Sequence, residues 1–347
     1  MTSVDGMVVA FNKRFKRQII ANSVKDPERI PVGIFPIDLA MGGGFPIGRF
    51  SVIYGMEGSL KSTIALLAIA SSQKLHPEKA CVVFDLENTF SGSWAEGLGV
   101  NVSRIKVIRP ETAEQAVDMI VALLYADDIG VIMVDSLAAL ATSAEINSSA
   151  EDTIVGVSSR LVNRLYRTAG HALTEAGQVG NTPTLLLLNQ IRYKIGVMFG
   201  NPEVQPGGPS FKFASSMTLR LYAKDIMDSD ISKDLPAFKL TTITIQKWKV
   251  PIISKKIDKL QIALIPNDKY GLKIGESYDF PTILTYLKHL ELFEKVDKDW
   301  RLTLPDTGET IDYRVQDDLK DQLREDSLFA HRVKDIIITN SLRINDV

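Results

Sequence analysis

Lys61 and Ser62 close the stretch Gly55-Met56-Glu57-Gly58-Ser59-Leu60-Lys61-Ser62, which has the residue types and spacing of a loop that holds phosphate. Glycines let successive backbone N–H groups turn inward on one anion, and a helix starting near the lysine adds the positive end of its dipole. In such a loop Lys61 meets the β and γ phosphates of a nucleotide. The hydroxyl of Ser62, with Thr63 beside it, is set for a magnesium ion. Leu60 stands where the usual pattern has another glycine, and its β-carbon disfavours any positive φ there. Taken alone the motif leaves a fortuitous loop equally open.

Two clusters of carboxylates supply context. Val131-Ile132-Met133-Val134-Asp135 is an apolar strand ending in an acid, the arrangement that places a carboxylate beside a metal's water shell, with Ser136 next to it. Phe84-Asp85-Leu86-Glu87-Asn88 ends another apolar run with two acids, either of which could polarise an attacking water. Either end is equally compatible with an ordinary solvated strand terminus.

These groups need a frame. An apolar run over Arg49–Tyr54 leads into the glycine loop, and a helical pattern over Lys61–Leu75 leaves it, the opening unit of a nucleotide-binding α/β fold. Further strand-like runs lie at Cys81–Phe84, Val131–Val134, Thr184–Leu188, Thr241–Ile245 and Leu260–Ile265, with helical stretches at Ala113–Tyr125 and Val155–Ala176. The alternation predicts a twisted, largely parallel sheet between helices. Beyond Pro266 it fades and acidic residues outnumber basic ones, which predicts a small C-terminal α/β domain over 266–347. The core is expected over 31–265 and a short N-terminal segment over 1–30. That segment carries Lys13-Arg14-Phe15-Lys16-Arg17, read as a solvated helix face or as a surface for a neighbouring subunit.

The 347 residues, 45% of them hydrophobic, suffice for a full core. Apolar stretches such as Ile64–Ala70 are far short of a membrane span, and no charged-then-apolar leader pattern is seen, so a cytoplasmic location is expected. The single cysteine, Cys81, lies in an apolar run and reads as a small hydrophobe rather than a redox or zinc group. A formal charge of -2 argues weakly against a nucleic-acid partner, so charge has to be read locally.

The three acidic and phosphate-binding elements stand in an order that resembles the RecA family of recombinases. Ile34–Ala40 and Gly43–Arg49 resemble the lead-in to that family's phosphate loop. Asp135–Leu140, followed by Ala144-Glu145-Ile146, resembles the start of its first DNA-binding loop. Most specific is Asn189-Gln190-Ile191-Arg192-Tyr193-Lys194-Ile195-Gly196-Val197-Met198-Phe199-Gly200-Asn201-Pro202-Glu203, which looks like the second DNA-binding loop almost residue for residue. The resemblance is strong from about residue 30 to 265 and weak beyond. It implies a RecA-type ATPase core, with ATP and Mg²⁺ as cofactors, Ser62 and Asp135 toward the metal, Glu87 as water-activating carboxylate and Gln190 as γ-phosphate sensor. Trp94 is implied to stack on adenine, although a partly buried core aromatic would look the same in sequence. Leu60 and the lack of an acidic tail depart from the bacterial pattern. Phage-encoded members tolerate a bulky apolar residue at that loop position, so the resemblance extends to them, and a phage-encoded chain would work in the host cytoplasm.

Locally, the second-loop segment is basic: Arg192, Lys194 and Lys212 stand against Glu203. Gly196, Gly200, Gly207 and Gly208 let backbone N–H groups approach phosphates, while Ile195, Val197, Met198 and Phe199 can wedge against bases without reading sequence. Arg160 and Arg167, seven apart on one predicted helix face, resemble residues that support the first loop and the DNA backbone. Lys247 and Lys249 resemble a lysine pair that RecA subunits project onto a neighbour's ATP, and residues two apart on an extended segment point to the same side. Lysines guarding a sheet edge are the bland alternative. The implied partners are single- and double-stranded DNA, further copies of this chain in a helical filament, and loader or single-strand-binding proteins, with no membrane. Two rivals are a ring-forming motor on the same core and a DNA-coating protein that binds ATP without efficient hydrolysis.

Overall fold

A computed structural model describes residues 3–15, 26–136, 139, 142–143, 157–193, 203–204 and 214–345. The main sheet contains β1 (Phe50–Gly55), β2 (Ala80–Asp85), β3 (Ile105–Ile108), β4 (Ile129–Asp135), β5 (Thr184–Gln190), β6 (Met217–Ile226), β7 (Phe238–Trp248) and β8 (Lys256–Ala263). Their order across the sheet is β8-β7-β6-β1-β5-β4-β2-β3. From β6 to β3 every neighbouring pair is parallel, whereas β7 and β8 join as antiparallel strands at one edge.

Alternate residues of the parallel strands feed two separate cores. Ile53, Val83, Val131, Met133, Leu186 and Leu188 face one, and Val52, Val82, Phe84, Ile132, Val134, Leu185 and Leu187 face the other. Burial on both faces is why these strands read as continuous apolar runs. The helix Lys61–Leu75 packs its Ile64, Ala65, Ala68 and Ile69 into the first core. The helices Ala113–Leu123 and Val157–Gln178 cover the second, through Val117, Ile120, Leu161, Leu165 and Tyr166.

Two strands are absent from the sequence expectation. The short β3 is an edge strand whose middle residues are exposed, and β6 carries Arg220, Tyr222 and Lys224 on its open face, so neither shows an unbroken apolar run. The last predicted strand begins earlier than expected, at Lys256, because pairing with β7 extends through exposed lysines.

Beyond the sheet, three antiparallel strands, Phe293–Val296, Asp299–Leu304 and Glu309–Tyr313, form a small sheet of their own. Helices Phe280–His289, Gln316–Glu325 and Ser327–Asn345 accompany it, and Leu287, Phe293, Leu302, Leu319, Val333 and Ile337 make a separate core. The helix Phe35–Ala40 stands between the two bodies: Ile37 and Ala40 enter the first core of the main sheet, while Phe35 and Leu39 enter the small one. Its Asp38 accepts the backbone N–H groups of Val32 and Gly33 at 2.6 and 2.9 Å, which fixes the chain's entry into that helix. Burial pushes the Asp38 carboxyl up to about 8 despite those two donors.

Candidate nucleotide-binding site

Four adjacent parallel strands, in the order β1, β5, β4, β2, end at one edge of the sheet, and every acidic and phosphate-loop residue singled out in the sequence lies there. Gly55 is level with Gln190, and Asp85 is level with Asp135. Crevices outside the carboxyl ends of such strands are the usual ligand positions in open α/β sheets.

The loop after β1 needs glycine for two distinct reasons. A β-carbon on Gly55 would stand 2.4 Å from both Leu221 O and Ser59 Oγ, which leaves no room for one. Gly58 has φ +69°, a conformation costly for other residues. Lys61 begins the helix, and its ammonium donates to the carbonyls of Gly55 at 3.3 Å and Met56 at 2.8 Å, curling the loop round its own cation. Burial lowers the lysine's pKa, opposed by the negative charges of Asp135, Glu87 and Glu57. The Ser62 hydroxyl donates to Asp135 Oδ2 at 2.6 Å, and burial raises that carboxyl.

Leu60 has φ 68° and ψ 20°, the left-handed region its departure from glycine makes unfavourable. The cost of a left-handed non-glycine residue is roughly 1–2 kcal/mol. Its side chain is only 9% exposed and belongs to the first core, and burying a leucine is worth about 1.5–3 kcal/mol. Packing therefore offsets the strain, and the loop keeps the shape that glycine would give it.

The two carboxylates left open by the sequence have different surroundings. Asp85 is 2% exposed and already occupied: Oδ2 accepts from Arg109 Nε at 2.9 Å and Nη2 at 2.7 Å, and Oδ1 accepts from Thr89 N–H at 2.9 Å. Glu87 Oε1 accepts from Gln190 Nε2 at 2.9 Å and from the Ser136 hydroxyl. Glu87 thus bridges the ends of β5 and β4, next to the loop, whereas Asp85 anchors the end of β2. Nothing local in the sequence marks Arg109 as the partner of an acid 24 positions earlier.

Trp94 lies on a short helix, Gly92–Gly97, started by the Ser91 hydroxyl, and is half-buried against the first core. Thr63 is buried in the helix after the loop. Glu57 and Met56 are exposed on the loop, and Ser59 is buried, its hydroxyl donating to Met56 O at 2.7 Å. Arg160 and Arg167 are both exposed on the helix Val157–Gln178. Of the second-loop residues, Arg192 falls in a two-residue strand, Arg192–Tyr193, paired with Glu203–Val204. Lys194, Gly196, Val197, Met198, Phe199, Gly200, Gly207, Gly208 and Lys212 lie outside the described residues.

Lys247 and Lys249 sit elsewhere. Thr218 pairs with Lys247 on one side and with Val52 on the other, so the lysine pair is level with the beginning of β1. The phosphate loop starts three residues further up β1, about 10 Å away along the strand and two strands across. One chain's pair therefore cannot reach phosphate in its own loop. Lys247 is pulled down to about 8 by burial first and by the charge of Lys249 second.

The donor set suits a magnesium nucleotide. Magnesium is held by one or two protein oxygens plus substrate phosphates rather than by a protein cage. Ser62 and Asp135 supply such oxygens, and no group of three or more His, Cys, Asp or Glu side chains able to hold a metal occurs among the described residues. No helix among them is long and apolar enough to cross a membrane.

Residues 5–265 match the family model described as the RecA N-terminal domain. The chain is 37% identical over 238 residues to Protein RecA of Porphyromonas gingivalis, covering 68% of this chain and 65% of that one. It is 40% identical over 201 residues to Protein RecA of Oceanobacillus iheyensis, covering 58% and 56%. A mitochondrial DNA repair protein recA homolog of Dictyostelium discoideum is 41% identical over 198 residues, covering 57% and 42%. The matched region thus spans less than two thirds of the length of these relatives.

Proposed function

Since the chain belongs to the RecA family, we propose that it is an ATP-dependent recombinase that polymerises on single-stranded DNA and promotes homologous pairing and strand exchange with DNA-stimulated ATP hydrolysis. The observation that carries the reading is the Gln190–Glu87 hydrogen bond at the end of β5, where the strand continues directly into the segment 191–213. A group that senses phosphate and a loop that holds DNA are then one continuous piece of chain.

In this reading the loop N–H groups and Lys61 bind the polyphosphate, which returns to the lysine the charge stabilisation its burial removes. Ser62 and Asp135 would hold a magnesium ion there, which would supply charge neutralisation on the phosphates. Glu87 takes a proton from the attacking water, held in place by the Ser136 hydroxyl. Gln190 exchanges Glu87 for a γ-phosphate oxygen, and the backbone after it orders Arg192, Lys194, Lys212 and the glycines 196, 200, 207 and 208 against an extended strand, with Val197, Met198 and Phe199 between bases. Arg160 and Arg167 add phosphate contacts from the helix face, and Trp94 packs on the adenine.

The opposite placement of Lys61 and the Lys247–Lys249 pair on one sheet favours a head-to-tail assembly in which each chain completes its neighbour's site. Such a contact gives a filament where the rotation does not close. The helix Val4–Phe15 exposes Met7 and Phe11, one turn apart on one face, which suits the polymerisation role proposed for residues 1–30. Electron microscopy with ATP and single-stranded DNA, paired with phosphate-release measurements, tests the reading. Filaments with DNA-stimulated release are expected. Closed rings would favour the motor, and filaments without release would favour the DNA-coating protein.

A further inference from the structure

Lys239 lies on β7, which is separated from the phosphate-loop strand by β6, yet its ammonium comes to 3.6 Å from where a β-carbon on Gly58 would stand. It gets there because β6 and β7 continue past the level of Gly55. Leu221 is the last β6 residue paired with β1, and beyond it Tyr222–Ile226 pairs only with Phe238–Thr242 among the described residues. This projecting hairpin rises beside the phosphate loop, and Lys239 crosses toward it. Directly opposite in the ladder stands Asp225, whose Oδ1 is 2.7 Å from Lys239 Nζ.

A cross-strand ion pair needs no function of its own. Its asymmetry argues for one here: the Asp225 side chain is 54% exposed, whereas that of Lys239 is only 16% exposed, so the lysine turns from solvent toward the loop. Charge around the loop points the same way, because Lys61 is faced by Asp135, Glu87 and Glu57. A nucleotide triphosphate adds several more negative charges at that place. A second ammonium on the outer wall of the loop lowers the electrostatic cost of bringing them in, more so where the loop and hairpin exclude water.

We propose that Lys239 is a positioning residue for the nucleotide, a second cation supplied by the β6–β7 hairpin of the same chain to the polyphosphate loop at Gly58, with Asp225 holding and attenuating it. The proposal rests on the reading of residues 55–62 as the ATP loop. It differs from a mere strap in sign: a strap is broken alike from either end, whereas a charge acting on phosphate is weakened by removing Lys239 and strengthened by neutralising Asp225.

The test is binding of a fluorescent ATP analogue, with the matching nucleoside as control, to the full chain and to Lys239→Met, Asp225→Asn, the double variant and Lys61→Ala, each checked for fold by circular dichroism. Lys239→Met is expected to weaken ATP about tenfold at low salt, less at high salt, with nucleoside binding unmoved. Asp225→Asn is expected to tighten ATP several-fold, and this gain is expected to vanish in the double variant. Wild-type affinity in folded Lys239→Met, or equal weakening by Asp225→Asn, overturns the proposal while leaving the ATP-loop reading intact if Lys61→Ala still abolishes binding. If the parent chain binds no ATP, or Lys61→Ala binds as the parent does, the loop reading fails and this proposal with it.

Discussion

Gln190 donates its side-chain amide to Glu87 across 2.9 Å, joining the ends of β5 and β2's following turn on the side of the sheet edge where the phosphate loop lies. A glutamine at position 87 still offers an Oε1 acceptor to Gln190 and Ser136, so Glu87→Gln removes the basic group and little else. Hydrolysis should fall by roughly 10²-fold or more while ATP affinity and filament formation persist. Phosphate release beside nucleotide titration checks this. Asp85→Asn should instead lower the melting temperature, since it weakens the contact with Arg109, a pair worth about 1 kcal/mol with its arginine half in solvent. A slow Asp85→Asn enzyme of normal stability would reverse the two assignments.

The strain at Leu60 predicts an unusual order of stabilities. Leu60→Ala keeps the left-handed backbone and loses the buried side chain, and it should be destabilised by about 2–3 kcal/mol. Leu60→Gly loses the same side chain but relieves the φ of 68°, so it should be the more stable of the two by about 1 kcal/mol. Urea unfolding of both variants decides it, and alanine at or above glycine would show that the backbone there is not strained.

Placement of Lys247 and Lys249 at the far end of β1 predicts complementation. The double alanine variant should lose DNA-stimulated hydrolysis and filament stability together, yet bind ATP weakly as a protomer. Mixed with Glu87→Gln protein it should recover part of the activity, because some interfaces then combine an intact Glu87 with an intact pair. No recovery in filaments verified to contain both chains would count against completion in trans.

The same pair predicts opposite pH trends for stability and turnover. Lys247 has a folded pKa of about 8 against an ordinary 10.5, so the folded chain binds fewer protons than the unfolded one between those values. Its contribution to stability therefore rises with pH across that window, with the cost of charging it fully present below about 8. A neighbour's phosphates would hold the proton on that ammonium, so DNA-stimulated hydrolysis should decline only at a pH above about 8, as the charge offered to them is lost. Lys249→Ala, which removes one of the two causes, should move both trends to higher pH in melting curves and phosphate-release assays.

For the segment after Gln190, Phe199→Ala and Arg192→Ala should each weaken DNA binding and strand exchange without changing the melting temperature. The arginine variant should also show a shallower dependence of affinity on salt, by about one phosphate contact. Parent-like affinity in both, at matched salt, would leave the segment an ordinary glycine-rich loop.

Much of this protein is legible in its sequence because the relevant physics is local. The spacing of Gly55, Gly58, Lys61 and Ser62 marks a glycine loop between a strand and a helix, and continuous apolar runs such as Val131–Val134 and Thr184–Leu188 encode strands buried on both faces. The helix over Lys61–Leu75 follows from its own pattern. What only the tertiary structure decided depends on chain segments far apart in sequence meeting in space. Asp85 is distinguished from Glu87 by Arg109 on one side and by Gln190, 103 positions on, on the other. Leu60 can hold a glycine's conformation because the core formed by distant strands takes its side chain. The strand β6 escapes a reading by pattern because one of its faces stays open, and its pairing register is set by its neighbours. That register also carries Lys247 away from its own chain's loop and Lys239 toward it, two lysines eight residues apart on one strand, separated in role by the length of the strand itself.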